Sequence, residues 1–167
     1  MVMKGIDPSL VEQLRSDAEE AASETIAWRR EFHQFPELAF EETVTSSRIA
    51  AVLSEMPSVR VIRGFGAPTC VLGILREDID APALTLRADI DALAIEEESG
   101  LPFASCFPGV MHACGHDAHI ATLLGAARIL SQRASLLERP VIFLFQPAEE
   151  GKGGAKRIVD AGFFREF

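Results

Sequence analysis

The chain has 167 residues, 48% hydrophobic and 25% charged, which excludes a disordered protein and suffices for one folded core. Sixteen Lys and Arg against 25 Asp and Glu leave a net charge of -9. That balance argues against a nucleic-acid partner, because a polyanion is bound by a basic surface. No apolar run approaches the roughly 20 residues of a membrane span, so no membrane association is expected.

The opening MVMKGIDPSLVEQL has no apolar segment of the kind a secretory signal needs. Asp7-Pro8 then opens the first helix, with Asp as cap and Pro at the first helical position. Val11, Leu14, Ala18, Ala21, Ala22, Trp28 and Phe32 recur at helical spacing. Phe35-Pro36 stops that helix, since a residue before proline avoids the α region. A second helix follows ELAFEETVTSS, with Ile49, Val52, Leu53 and Met56 on its core face and Pro57 at its end. Glu41-Glu42 reads as its start, and His33 lies near apolar positions.

Three short apolar segments bounded by Gly or Pro read as strands: Val59 to Ile62, Thr69 to Leu75, and Ala83 to Arg87. ESGLPFASCFPGVMHACGHDAH has no periodicity and reads as a loop. A helix resumes at Ala118, with Ile120, Leu123, Leu124, Ala127 and Leu130 on one face. Val141 to Phe145 is a continuous apolar strand, suited to a sheet covered on both faces. QPAEEGKGG is a polar turn, and a last helix spans Gly154 to Ala161. The order predicts an α/β fold, a layered sheet with helices packed on it. Sites in such sheets lie beyond the carboxyl ends of strands, where the titratable loops of this chain fall.

Three clusters carry chemistry. His112, Cys114, His116, Asp117 and His119 fall within eight residues, and thiolate and imidazole are typical ligands of zinc-like ions. In an extended loop Cys114 and His116 would share one side, with Gly115 permitting a tight bend. His116 and His119 would share a helical face. Asp117 is placed to cap the helix or to orient a ligand histidine. The alternative is a loop of surface histidines with a buried cysteine. In the second cluster, Glu149 and Glu150 follow the apolar strand. Two charges at a buried strand end need a cation, and one could bind a metal while the other faces its water. An acid-decorated helix start is the other reading. In the third, alternation puts Arg87, Asp89 and Asp91 on one face, either as an ion-paired strand end or as support for a ligand histidine.

The three cysteines, Cys70, Cys106 and Cys114, are too few and scattered for a disulfide framework. They fit a reducing, cytoplasmic chain. The glycines at 151, 153 and 154 form no phosphate loop, because no GK[ST] follows, and no GxSxG is present.

Taken together, WRREFHQFPELAFEETVTSSRIAAVL, LRADIDALAIEEESGLPFAS, GVMHACGHDAHIATLLGAARIL and VIFLFQPAEEGKGGAKRIVDAGFF are similar to segments of the metal-dependent amidohydrolases of the aminoacylase and carboxypeptidase type. The branch is that of hippurate hydrolase, N-acetyl-diaminopimelate deacetylase and the plant auxin-conjugate hydrolases. The resemblance implies a mixed sheet with helices on both faces, the N-terminal part of a zinc-peptidase-like catalytic domain. It implies cleavage of N-acyl amino acids by a metal-activated water. Cys114, His116 and Glu150 would be metal ligands, Glu149 the general base and Asp89 a supporting acid. Two divalent ions per complete site are implied. The donors suit zinc or manganese, with cobalt or nickel also accommodated. Family members are more than twice as long. Beyond the DAGFF segment they supply further histidine ligands, a lid or dimerisation domain and the remaining catalytic portion, and the full-length form would be a homodimer. Residues 1–167 are accordingly expected to be the N-terminal portion, with a catalytically incompetent fragment as the alternative.

Overall fold

The computed structural model describes residues 7–167. The reading of Met1–Ile6 as free of a signal-type segment lies outside these residues. Helix α1 spans Pro8–Gln34, with the Asp7 carboxylate accepting from the Ser9 amide at 2.9 Å and Phe35 at its C-cap. Its apolar stripe is used unevenly: Trp28 and Phe32 are buried, whereas Val11, Ala18 and Ala22 are exposed. In the N-terminal half of the helix, Asp17 pairs with Arg133 at the end of a later helix.

Helix α2 is Thr43–Ser54. Its nominal cap, Glu42, makes no capping bond; Glu37 does that work, accepting from the amides of Val44 at 3.1 Å and Thr45 at 2.7 Å. The strands are β1 (Val59–Arg63), β2 (Val71–Leu75), β3 (Leu84–Asp89) and β4 (Val141–Gln146). They form one mixed sheet in the order β1-β2-β4-β3, antiparallel except for the β3–β4 pair. Helix α3, His116–Gln132, lies between β3 and β4 in sequence, because parallel neighbours need a long crossover. A 3₁₀ turn at Ala134–Leu136 precedes β4, and helices α4 (Gly154–Asp160) and α5 (Phe163–Glu166) end the chain. The last helix expected from Gly154 to Ala161 is α4, and α5 follows it beyond Gly162, which has φ +95°.

The continuous apolar run of β4 is explained by burial on both faces. Val141, Phe143 and Phe145 join Ile49, Leu53, Ile120 and Leu124 beneath α1, α2 and α3. Ile142 and Leu144 face the other way and pack with Ile158 of α4 and Phe163 just beyond it. Each such fully buried side chain stabilises the fold by about 1.5–3 kcal/mol relative to exposure. Among the described residues no helix is long and apolar enough to cross a membrane.

Candidate metal centre

Parallel pairing sets the position of the site. The β3–β4 register aligns Asp89 with Gln146, and Ile90 continues the ladder by donating to the Gln146 carbonyl at 3.1 Å. The chain leaving β3 therefore runs beside the chain leaving β4, and Asp91 meets Glu149 and Glu150. The long excursion between β3 and α3 is closed at its base. Leu93 and Met111 exchange two backbone hydrogen bonds of 3.0 Å, and Ala92 donates to the Glu37 carbonyl at 2.8 Å. That closure returns His112–His116 to the strand ends.

Helix α3 begins at His116, two residues earlier than the apolar pattern indicates. Cys114 and His116 are consequently not on one side of an extended loop. Gly115 is the N-cap in the left-handed region, φ +82°, and turns the chain between the two side chains. His116 and His119 do share a helical face, with rings stacked at 5.6 Å.

Cys114, His116 and Glu150 converge: each offers a ligand atom within 4.8 Å of the others. The thiol is exposed, the imidazole buried and the carboxylate half-buried. His116 Nδ1 lies 2.9 Å from the Asp91 backbone carbonyl, which can only accept, so Nδ1 carries the proton and Nε2 is left with its lone pair. Burial opposes protonation of His116, but the Asp91 carboxylate and carbonyl and the charge of Asp89 outweigh it and raise its pKa. The hydrogen bond and charge of Glu150, together with desolvation, push Cys114 up to about 11. A sulfur, an imidazole nitrogen and a carboxylate oxygen so placed are a fitting donor set for a borderline divalent ion.

Asp91, mentioned in sequence only as part of an alternating strand, is the hub of this geometry. It is 1% exposed, and its two oxygens accept from the amides of Glu149 at 3.1 Å and Glu150 at 3.0 Å. Burial pushes its pKa up, but the His116 ring and these two amides more than offset that and lower it. The alternation of acids through β3 was the available signal.

Glu149 is exposed and Glu150 half-buried, so the expected cost of two buried charges does not arise. The segment is a turn rather than an extended strand end, with Ala148 at φ +53°. Fully buried Glu42 fixes that turn, accepting from the Ala148 amide at 2.9 Å and the Thr69 hydroxyl at 2.6 Å. Sequence reading gave Glu42 only a helix-start role, and nothing local distinguishes it from Glu41.

Asp89 Oδ1 accepts from His119 Nδ1 at 2.6 Å and lies 3.6 Å from His116 Nε2. Asp117 does not take the expected place. Its buried carboxylate is bound by His33 Nδ1 at 2.8 Å and Arg29 Nε at 2.7 Å, joining α1 to the first turn of α3 rather than orienting His116. His33 Nε2 lies 3.1 Å from Glu97. His112 is buried with neither ring nitrogen hydrogen-bonded among the described residues, and desolvation holds its pKa down to about 4, so it is neutral. Cys70, Cys106 and Cys114 are all free thiols.

The family model described as Peptidase family M20/M25/M40 matches residues 85–167. Thermostable carboxypeptidase 1 of Saccharolobus solfataricus is 44% identical over 155 residues, covering 92% of this chain and 39% of the relative. The N-acyl-L-amino acid amidohydrolase of Geobacillus stearothermophilus is 41% identical, over 90% of this chain and 40% of its own length. The crystal structure of a Bacillus subtilis protein titled a dinuclear metal binding peptidase from the M20 family superposes with a TM-score of 0.81 at 39% identity, covering 90% of this chain and 41% of that one. The chain thus spans about two fifths of the length of these relatives.

Proposed function

The chain belongs to peptidase family M20/M25/M40, and from that premise we propose that it is the N-terminal portion of the catalytic domain of a metal-dependent amidohydrolase acting on N-acyl amino acids. The observation that carries the reading is the convergence of Cys114, His116 and Glu150 from two loops remote in sequence. Cys114 as thiolate, His116 through Nε2 and Glu150 through a carboxylate oxygen would hold the ion. A bound divalent ion would supply Lewis acidity and lower the pKa of water. Glu149, exposed beside Glu150, takes a proton from the attacking water on its carboxylate and delivers it to the departing amine nitrogen. Asp91 keeps both glutamates in register by holding their amides, and it keeps His116 in the Nδ1–H tautomer. The amidohydrolase among the relatives supports the substrate class. The similar Bacillus subtilis protein, a dinuclear metal binding peptidase, supports two ions per complete site.

The test uses a form extended to the length of the relatives, stripped of metal and reloaded, and assayed on hippurate and N-acetyl amino acids. Glu149→Gln is expected to abolish turnover while retaining the ions, and equal rates for variant and parent would remove Glu149 as base. The two-fifths coverage favours a second reading of residues 1–167 taken alone: one ion held by three protein ligands, without turnover. Metal counting by mass spectrometry on this chain distinguishes them, since two tightly held ions with measurable hydrolysis would overturn it.

A further inference from the structure

The neighbourhood of His116 contains donors that the centre proposed above leaves unused. Asp89, His116 and His119 form a second group whose ligand atoms all lie within 4.8 Å of one another. Asp89 ends β3 and is 8% exposed, whereas the His119 side chain, one turn into α3, is 57% exposed. Both line a groove of about 450 Å³ with Leu86, Arg87, Thr122 and Leu123, so the group is open to solvent, and Arg87 lies 3.5 Å from Asp89 Oδ2, leaving Oδ1 to the two histidines.

We propose that Asp89, His116 and His119 form an outer site for a borderline divalent cation, overlapping the Cys114–His116–Glu150 group through the one free nitrogen of His116. Two imidazoles and a carboxylate suit zinc, cobalt or nickel, with water completing the shell from the groove. Tetrahedral bonds of about 2.0–2.1 Å put ligand atoms roughly 3.3 Å apart. The 3.6 Å between Asp89 Oδ1 and His116 Nε2 already fits. The 2.6 Å between Asp89 Oδ1 and His119 Nδ1 is a hydrogen bond that an ion would replace, and the exposed His119 ring is free to move outward by the fraction of an ångström required. Because His116 Nδ1 is committed to the Asp91 carbonyl, Nε2 alone is available, and a single nitrogen ligates one ion. Occupancy of the outer site therefore withdraws His116 from the inner one. Beyond the shared His116, the inner group adds a thiolate and a carboxylate and the outer a carboxylate and a neutral imidazole, so the more anionic inner group is preferred and the outer site fills when the inner is disabled or when metal is in excess. The outer site shares His116 with the proposed centre but does not depend on the amidohydrolase reading.

The test is a Co²⁺ titration of this chain followed by absorption spectroscopy and calorimetry, with circular dichroism to verify folding. A chain carrying Cys114→Ser and Glu150→Gln is expected to bind one Co²⁺ with d–d bands and no thiolate charge-transfer band. Adding His119→Gln or Asp89→Asn to it is expected to weaken binding by about tenfold or more. His119→Gln in the otherwise unaltered chain is expected to keep the thiolate band. No Co²⁺ binding by the folded double variant, or binding indifferent to both further substitutions, would overturn the outer site. So would loss of the thiolate band on His119→Gln alone, which would assign His119 to the inner group. Absence of that band in the unaltered chain would instead overturn the inner centre.

Discussion

Asp91 and His116 are tied twice: the ring Nδ1 donates to the Asp91 backbone carbonyl at 2.9 Å and lies 3.4 Å from its Oδ1. The same carboxylate holds the amides of Glu149 and Glu150. Asp91→Ala removes all side-chain parts of this arrangement at once. Stability is expected to fall by about 1–3 kcal/mol, the cost of donors left without their acceptor. Affinity for a divalent ion is expected to fall by about 10–100-fold. Urea denaturation and calorimetric titration measure the two effects; unchanged ion affinity would contradict the hub role.

The high pKa of Cys114, held at about 11 by the neighbouring Glu150, means that the sulfur is a thiol near neutral pH. Capture of an ion as thiolate must then release about one proton. Zinc titrations at pH 7.5 in buffers of different ionisation enthalpy are expected to give that stoichiometry. Cys114→Ser should lower the release, leaving only the share that His116, with its raised pKa, gives up on ligation. Equal binding heats in all buffers would exclude the thiolate as a ligand.

Glu97 gives the fold a specific acid sensitivity. Burial pushes its carboxyl up, but hydrogen bonds from the Ser99 hydroxyl, the Ser105 amide and His33 outweigh it and hold the pKa down to about 2. A carboxylate whose pKa is lower folded than unfolded adds stability that is complete above its ordinary value of 4.5 and is lost as pH falls toward 2. Thermal melts of the parent are therefore expected to lose more stability between pH 5 and 2.5 than those of Glu97→Gln, which has no proton to take up at that position. Parallel pH profiles would refute the assignment.

Asp117 is a structural carboxylate, joined to Arg29 and His33 of α1 from the first turn of α3. Asp117→Ala leaves a buried histidine and an arginine without their shared partner, and the expected loss is about 3–5 kcal/mol, read by urea denaturation. A loss below about 1 kcal/mol would show that α1 does not depend on this contact.

Gly154 starts α4 directly behind the turn that carries the two glutamates. A Cβ there would stand 1.7 Å from the Pro147 carbonyl oxygen, a clash with backbone rather than with a flexible side chain. Gly154→Ala is expected to displace the Pro147–Glu150 turn and lower ion affinity along with stability. Gly151→Ala, where a Cβ meets nothing within 4 Å, serves as control for the ion site, although its φ of +75° adds local strain. Equal ion affinities for the two variants would remove Gly154 as the constraint on the turn.

The sequence determined what depends on local pattern and donor chemistry. Helical spacing placed α1 and α2, five consecutive apolar residues announced a strand covered on both faces, and the Cys and His residues at 112–119 and the Glu149-Glu150 pair stood out by ligand type, the family resemblance alone choosing Glu150 over Glu149 as ligand. Those features are legible because amphipathic periodicity and metal-ligand chemistry are properties of neighbouring residues. The tertiary structure decided everything that depends on distant chain segments meeting. It started α3 at His116, sent Asp117 to Arg29 and His33, turned Glu42 inward to hold Ala148, and made Asp91 the link between two loops. A carboxylate's partner is fixed by the register of β3 against β4 and by the closure at Leu93 and Met111, and neither is encoded in the residues beside it.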